Sequence, residues 1–210
     1  MQSRPWIQLF NITMCAILFF AVFPVPVQPA DQASGQVLGG SPEAPIKIEV
    51  FSDFECPSCR ELYLDVMRRV LVEYSSQNKV CVVYHEFPLA MHPYAREAAR
   101  YAEAAARLGR DKLLMVYDTL FMNQAQWAED GQVEATVAKA LSRADFQMLK
   151  KVMLDPGINA SIEKEILLGN QYRIMSTPTF FIYTGGKLQQ KVEGRLTFVS
   201  LKQFLDSRLK

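Results

Sequence analysis

The chain is short of cysteine and carries no excess of either charge, and each shortage removes a class of protein. Four cysteines among 210 residues are too few for a small scaffold held together by disulfides. Basic side chains number 23 and acidic side chains 22, so no charge excess indicates a nucleic acid or an anionic membrane surface as a partner. Half of the residues are hydrophobic, which suits one globular domain with a full-sized core.

The sequence also lacks an uninterrupted apolar run of the roughly 20 residues that a membrane-spanning helix needs. Residues 12–23 are almost wholly apolar, and they follow Arg4, the only charged side chain among residues 1–30. Prolines and small residues come next: Pro24, Pro26, Pro29, Ala30 and Ala33. This order predicts a secretory signal peptide over residues 1–30, or an uncleaved anchor if the apolar run is counted from Ile7. We therefore expect a periplasmic or otherwise extracytoplasmic protein, in a compartment where disulfides persist.

The remaining chain alternates between strand and helix patterns. Residues 31–44 are rich in Gly, Ser, Gln and Pro and are predicted to be a linker or arm. The β-branched alternation of residues 46–51 predicts a strand, and residues 57–74 carry apolar side chains at helical spacing. Further elements are predicted in this order: a strand at 80–84, an Ala-rich helix that ends near Gly109, helices at about 111–124, 132–141, 144–153 and 158–172, two strands joined by Gly185-Gly186, and a last helix capped by Thr197.

Strand, helix and strand are thus followed by a helical block, a hairpin and a terminal helix. This βαβ…ββα order predicts an α/β protein with a thioredoxin-like fold and an inserted helical subdomain.

The stretch FSDFECPSCREL, residues 51–62, places Cys56 and Cys59 at a predicted strand-to-helix junction. The first N–H groups of a helix lack partners and its dipole favours negative charge, so a thiolate at Cys56 would be stabilised there. Pro57 does not weaken the helix at this position, because the backbone N–H that proline lacks would have had no hydrogen-bond partner in the first helical turn. Cys59 begins the apolar stripe of the helix and is expected to point inward. The pattern predicts one attacked sulfur at the exposed end and one sheltered resolving sulfur.

A zinc site and a structural staple are the alternatives for this pair. A zinc site needs about four ligands, typically from two such pairs, and only Cys81, His85 and His92 remain beyond the predicted leader. A bridge between Cys56 and Cys59 would close a tiny loop and add little stability. We therefore interpret the pair as a redox centre that needs neither a metal nor an organic cofactor.

The stretch STPTF is the second signal. Pro178 directly precedes a predicted strand, where proline cannot donate to a sheet. A cis Thr177–Pro178 bond would explain its place, since cis bonds are nearly confined to X–Pro and recur at specific turns. Such a turn could lie against the cysteine pair and leave the Thr177 backbone free to bind a substrate strand.

Three stretches together resemble the DsbA-like thiol–disulfide oxidoreductases of the thioredoxin superfamily: GSPEAPIKIEVFSDFECPSC, EFPLAMHPYAREAARYAEAA and STPTFFIYTGGKL. The resemblance covers residues 37–209. It implies a thioredoxin-like core at 45–91 and 171–210 and a helical insertion at 92–170. It further implies export and dithiol–disulfide exchange with newly exported proteins.

The same resemblance assigns roles to residues. Cys56 would be the nucleophilic, solvent-facing cysteine, Cys59 its partner, and Thr177 with Pro178 the cis-proline loop. Glu49 resembles the buried acid that family members often carry on the strand below the cysteines, where it would relay protons. By alternation, however, Glu49 shares a face with Lys47 and Phe51, so an ordinary polar strand position is the alternative.

The dipeptide Pro57-Ser58 between the cysteines departs from the strongest oxidants of the family, which carry histidine where this chain has Ser58. Serine offers a hydroxyl but no cationic donor to a Cys56 thiolate. We therefore predict a milder oxidant than those with histidine there.

The leading hypothesis is an enzyme that exchanges a Cys56–Cys59 disulfide with exported proteins and oxidises them. Its partners would be unfolded or reduced exported chains and, as the resemblance implies, a membrane-bound quinone-linked thiol oxidase that restores the disulfide. A monomer without nucleic acid is expected. A disulfide reductase or isomerase, and a non-catalytic chaperone-like binding module on the same fold, are the alternatives.

Overall fold

The computed structural model describes residues 35–210, so the signal peptide predicted over residues 1–30 lies outside the described residues. The strands are β1 (Gln36–Gly39), β2 (Ile46–Ser52), β3 (Val80–Glu86), β4 (Thr179–Thr184) and β5 (Lys187–Glu193). The helices are α1 (Pro57–Glu61), α2 (Arg68–Glu73), α3 (Ala95–Arg107), α4 (Arg110–Met122), α5 (Gln124–Asp130), α6 (Val133–Ala140), α7 (Arg143–Val152), α8 (Gly157–Gln171) and α9 (Phe198–Arg208). A π-helical segment, Leu62–Met67, joins α1 to α2, and a short 3-10 turn, Ser75–Gln77, precedes β3.

The strands form one mixed sheet in the order β1-β3-β2-β4-β5. β2 and β3 run parallel, joined by the helical stretch from α1 to α2, and every other neighbouring pair is antiparallel. Helices α3 to α8 all lie between β3 and β4 in the chain. The predicted βαβ…ββα order with a helical insertion is therefore present.

The two faces of the sheet carry different side chains, because β2 alternates along its length. Ile48 and Val50 join the main core, which also contains Cys56 and Cys59. Phe51 belongs to a smaller apolar cluster on the opposite face. We call the face that carries Ile48 and Val50 the cysteine face, and the face that carries Phe51 the far face. A polar group on β2 can reach the cysteines only from the cysteine face.

The main core continues without a break from the sheet into the helical insertion. Side chains of the first helical stretch, such as Tyr63, pack with side chains of α4, such as Tyr117 and Phe121, whose rings lie 5.7 and 4.9 Å from the Tyr63 ring. Leu201 of α9 is buried in the same core. The insertion therefore packs directly against the elements that carry the cysteine pair.

The predicted linker at residues 31–44 contains an ordered strand instead. Gln36–Gly39 form β1, the edge strand that pairs antiparallel with β3. Gly40, directly after this strand, serves close packing, since a Cβ there would clash with the Val80 carbonyl oxygen and its φ is 77°. A composition rich in Gly, Ser, Gln and Pro indicated a linker or arm, but the strand depends on its partner β3, which a local pattern does not reveal.

Across residues 35–210, no helix combines the length and apolar character that a membrane crossing requires.

Candidate active site

The cysteine pair lies where β2 gives way to α1. Cys56 is the N-cap of α1, with φ −75° and ψ 121°, and Pro57 occupies the first helical position. The Cys56 carbonyl oxygen accepts from the N–H groups of Cys59 and Arg60, each at 3.1 Å. The helix therefore begins directly after Cys56, and the Cys56 side chain lies at its N-terminal end.

The two cysteines differ in exposure, as the sequence predicts, but the difference is smaller than expected. Cys59 is 1% exposed and Cys56 is 8% exposed, so the expected solvent-facing cysteine is itself largely covered. The Asp53 N–H donates to the Cys59 sulfur at 3.4 Å. Pro57 is exposed and Ser58 is half-buried. Both cysteines are free thiols here, so the geometry is that of the dithiol form.

The local environment moves the two thiol pKa values in opposite directions. A hydrogen bond with Cys59, helped by the backbone N–H groups of Cys59 and Ser58, lowers the pKa of Cys56 to about 6 against the cost of burial. Burial, followed by the neighbouring Cys56, raises the pKa of Cys59 well above its usual range. The pair therefore has one sulfur that ionises readily and one that holds its proton.

A loop from the other end of the core closes over Cys56. The Thr177–Pro178 bond is cis, as predicted. The Cys56 thiol donates to the Thr177 carbonyl oxygen at 3.3 Å, so residues 121 positions apart in the chain meet at the sulfur. The Gly194 N–H donates to the Pro178 carbonyl oxygen at 2.8 Å and holds the loop to the end of β5. The structure thus brings together Cys56, Cys59, Thr177 and Pro178.

The helical insertion contacts the segment that carries the cysteine pair. Gln124, the first residue of α5, donates its side-chain amide to the carbonyl oxygens of Phe54 at 2.6 Å and Cys56 at 3.0 Å. Arg60 donates to the Phe121 carbonyl oxygen at 3.0 Å. Sequence reasoning missed Gln124, because its partners lie about 70 positions away and a lone glutamine carries no local signal.

A buried carboxylate ties the segment before Cys56 to the connection between β3 and α3. Asp53 accepts from the N–H groups of Glu55 and Leu89, each at 2.7 Å, and its other contact is His92 Nδ1 at 2.8 Å. Asp53 is 1% exposed. Asp53 was not singled out from the sequence, although an aspartate next to the cysteine motif was the available signal, and His92 was considered there only as a possible metal ligand.

Glu49 does not belong to this constellation. It is buried, but it lies with Lys47 on the far face of the sheet, where the two side chains form an ion pair at 2.7 Å. The Lys47 ammonium also lies over the Tyr183 ring, 5.1 Å from its centroid. Strand alternation places Glu49 away from the cysteines, so the sheet separates it from them. The polar-strand alternative holds for Glu49, and the relay is not supported.

In residues 35–210, no three His, Cys, Asp or Glu side chains cluster closely enough to hold a metal ion.

Comparison with known proteins places this geometry in a family. A family model described as thioredoxin matches residues 32–207. The chain belongs to the thioredoxin family. Among curated members, a probable disulfide bond formation protein D of Bacillus anthracis is 26% identical, and the match covers 96% of this chain and 94% of that protein.

Solved structures show the same fold. The alpha-DsbA1 protein of Wolbachia pipientis superposes with a TM-score of 0.68 at 18% identity, covering 90% of this chain and 94% of that one. Oxidised BdbD from Bacillus subtilis superposes with a TM-score of 0.67 at 19% identity, covering 84% and 93%. The predictions of a DsbA-like member of the thioredoxin superfamily and of a thioredoxin-like α/β fold are confirmed.

Proposed function

We propose that this thioredoxin-family chain is exported and oxidises cysteine pairs in other exported proteins by exchanging its Cys56–Cys59 disulfide. Thiol–disulfide exchange as the activity class has the support of the family, its disulfide-forming relatives and the cysteine pair together. The direction of exchange is the proposal. It rests on one observation, the lowered pKa of Cys56 beside the raised pKa of Cys59.

The pKa difference favours oxidation because a stabilised thiolate is a good leaving group. A substrate thiolate attacks the Cys56 sulfur of the disulfide, and Cys59 leaves with the bonding electrons. A second substrate thiolate then attacks the substrate sulfur of the mixed disulfide and releases Cys56 as a thiolate. The substrate loses two electrons to form its disulfide, and the protein gains them as a reduced pair.

The cis-proline loop supplies the remaining side of the proposed reaction site. The Thr177 carbonyl oxygen already contacts the Cys56 sulfur, so a substrate chain that reaches Cys56 must lie against Thr177 and Pro178. Pro57 and Ser58 tune the pair, and Ser58 does so through its backbone N–H.

The proposed partners follow from this chemistry. Reduced or unfolded exported proteins are the substrates. A membrane-bound quinone-linked thiol oxidase restores the disulfide, since each turnover leaves the pair reduced. The protein works as a monomer in the periplasm or another extracytoplasmic compartment.

Refolding of reduced ribonuclease by the oxidised protein tests the proposal. Wild type and the control Cys81→Ala, which alters a buried cysteine on β3, should restore ribonuclease activity, whereas Cys56→Ala should not. Insulin reduction by the dithiol form, run in parallel, measures the reverse direction. Equal activity of wild type and Cys56→Ala in both assays would leave only a chaperone-like holder. Fast insulin reduction without ribonuclease oxidation would indicate a reductase.

A further inference from the structure

Asp53 contacts both cysteines of the pair through its backbone. Its N–H group donates to the Cys59 sulfur at 3.4 Å, and its carbonyl oxygen accepts from the Cys56 N–H at 3.2 Å. Both cysteines are free thiols here, so this is the position of the Cys59 sulfur once a disulfide between them has opened. The Asp53 N–H therefore lies where negative charge develops when Cys59 leaves the disulfide.

The surroundings of Cys59 make a negative charge on its sulfur costly. Burial raises the pKa of Cys59 well above its usual range, and the neighbouring Cys56 raises it further. The Asp53 N–H acts in the opposite direction and lowers this pKa. A fixed backbone donor of this kind stabilises a developing anion in a buried site without having to reorganise, as it does in an oxyanion hole.

The peptide bond that carries this N–H group is held from the connection between β3 and α3, residues 87–94. The Ser52 carbonyl oxygen, at the other end of the same peptide bond, accepts from the Phe87 N–H at 2.8 Å. The Asp53 side chain is fully buried, and its Oδ2 atom accepts from the Leu89 N–H at 2.7 Å. Two main-chain donors of the connection therefore fix the peptide that faces the sheltered sulfur.

His92 adds a side-chain contact from the same connection. Its Nδ1 atom lies 2.8 Å from Asp53 Oδ2, and its own N–H donates to the Leu89 carbonyl oxygen at 3.0 Å. Both Asp53 oxygens already accept from main-chain N–H groups, so the proton of this contact lies on Nδ1. Among the described residues, the imidazole is the one side chain that donates to this carboxylate. A substitution at His92 can therefore remove a donor from Asp53 without touching the main chain.

We propose that the Asp53 N–H stabilises the Cys59 thiolate as it leaves the disulfide, and that His92 is the positioning residue that holds Asp53 in place for this step. The inference rests on the proposed exchange at Cys56 and Cys59. It extends the reaction site to the connection between β3 and α3, where the sequence offered His92 only as a possible zinc ligand.

The opening step moves an electron pair and no proton. A substrate thiolate attacks the Cys56 sulfur, a bond forms between these two sulfurs, and the bond between Cys56 and Cys59 breaks. Cys59 takes the bonding pair, so the negative charge of the substrate thiolate ends on Cys59, where the Asp53 N–H donates to it. The thiolate then takes a proton from solvent. Closing is the reverse: the thiol returns this proton, and the Cys59 thiolate expels the substrate thiolate from Cys56.

This mechanism affects rates and leaves the redox potential alone. Opening and closing both pass through the Cys59 thiolate, so a donor to that thiolate changes the two rates together. The redox potential compares the resting disulfide with the resting dithiol, in which Cys59 holds its proton, and it should stay at the wild-type value.

The rate at which dithiothreitol opens the disulfide, measured by rapid mixing and alkylation at one pH, tests the proposal. His92→Leu removes the donor to Asp53 and should open about 10-fold more slowly than wild type, as expected when one hydrogen bond to a charged group is weakened. His92→Asn, whose amide nitrogen can replace Nδ1 as a donor, should restore the wild-type rate. Equilibration with glutathione buffers should give one redox potential for all three proteins.

The control is His85→Leu, at the other histidine of the chain. His85 is buried on the far face, opposite Phe51, and its Nδ1 atom contacts Glu165 of α8. His85→Leu leaves this carboxylate without its partner and should lower the free energy of unfolding, which urea denaturation measures. Its disulfide should nevertheless open at the wild-type rate, so a loss of stability alone does not imitate the effect of His92→Leu.

A pair of variants tests whether His92 acts through Asp53. Asp53→Ala should slow opening, and adding His92→Leu to it should slow opening no further. If Asp53→Ala does not fold, the two His92 variants decide the matter.

Three results would overturn the proposal. The first is a wild-type opening rate in His92→Leu, and the second is equal slowing in His92→Leu and His92→Asn, because the lost donor would then not be the cause. The third is a shift in redox potential large enough to account for the slower opening, because the change would then lie in the resting forms.

The result is separable from the proposed function. His92→Leu should still refold ribonuclease to the wild-type endpoint, only more slowly, because Cys56 and Cys59 remain. Failure of the oxidase proposal appears instead as equal ribonuclease refolding by wild type and Cys56→Ala, whatever the rates at which dithiothreitol opens the disulfide.

Discussion

At the scale of a single residue, Ser58 is predicted to limit how strongly the cysteine pair oxidises. Its backbone N–H already helps to lower the pKa of Cys56 to about 6, and its half-buried side chain adds no charge. A protonated imidazole at this position would add a cationic donor, which stabilises the thiolate further. With Ser58 the chain therefore lacks an interaction that would stabilise the Cys56 thiolate further.

We expect Ser58→His to raise the redox potential of the pair and to lower the pKa of Cys56 further. A gain of about 1.4 kcal/mol in thiolate stability corresponds to roughly 30 mV for this two-electron couple. Equilibration with glutathione buffers measures the potential, and Ser58→Thr, which keeps a hydroxyl without a charge, is the control. A potential that is unchanged in Ser58→His would remove the electrostatic account of this position.

Two glutamates show where residue-level prediction from the sequence stops. Glu49 was a candidate because it resembles the buried acid that family members carry on the strand below the cysteines, yet β2 alternates and turns it to the far face. Glu86 lies on the cysteine face, but its neighbours Ser52 and Tyr117 come from two other elements. The alternation of a strand can exclude a residue from one face of the sheet. For Glu49 this exclusion was the alternative given from the sequence. It does not identify which distant residues meet there.

At the scale of elements, the helix after Cys56 could be predicted closely, whereas β1 could not. The stripe of Cys59, Tyr63, Val66 and Val70 has helical spacing, and all four side chains are buried as expected. That signal is local, so the sequence carries it. β1 is a short edge strand whose order comes from β3, and the contact between α5 and the cysteine loop joins segments far apart in the chain. Neither leaves a local pattern.

The contact between α5 and the cysteine loop yields a prediction about stability. Gln124 satisfies two carbonyl oxygens, of Phe54 and Cys56, while itself being 4% exposed. We expect Gln124→Ala to lower the free energy of unfolding by about 2 kcal/mol, because buried acceptors lose their donor. Urea denaturation measures this loss. Gln126→Ala, an exposed glutamine on the same helix, should change stability by less than about 0.5 kcal/mol.

Equal effects of the two glutamine variants would mean that α5 does not hold the loop. A loss confined to Gln124→Ala, accompanied by a changed alkylation rate of Cys56, would instead tie the helical insertion to the chemistry of the pair.

At the scale of the whole molecule, the order of elements was enough to predict the fold, because βαβ and ββα units leave few ways to build one sheet. What the order could not provide is the meeting of Cys56 with Thr177 across 121 positions and the continuous core between sheet and insertion. Both depend on packing in three dimensions. The site is therefore a property of the assembled chain, although its cysteine motif is local.

The assembled site predicts which redox form of the protein is more stable. An oxidant is strong when its dithiol form is stabilised relative to its disulfide form, and here the stabilised group is the Cys56 thiolate. An acid whose folded pKa is lowered contributes stability above its unfolded pKa and loses it as the pH falls through the folded value. For Cys56 the window runs from the unfolded value, about 8.5, down to about 6.

Within that window the stability of the dithiol form, relative to the disulfide form, should rise with pH by up to about 1.4 kcal/mol per pH unit. Cys59 does not disturb the comparison there, because a raised pKa costs stability only above the unfolded value. Urea unfolding of both forms across this range measures the difference, and the unfolding free energy of reduced Cys56→Ala should lack the rise with pH that the reduced wild type shows. If the disulfide form is more stable than the dithiol form at every pH in this range, the result would contradict the proposed oxidant. It would favour a reductase, because folding would then stabilise the disulfide relative to the dithiol.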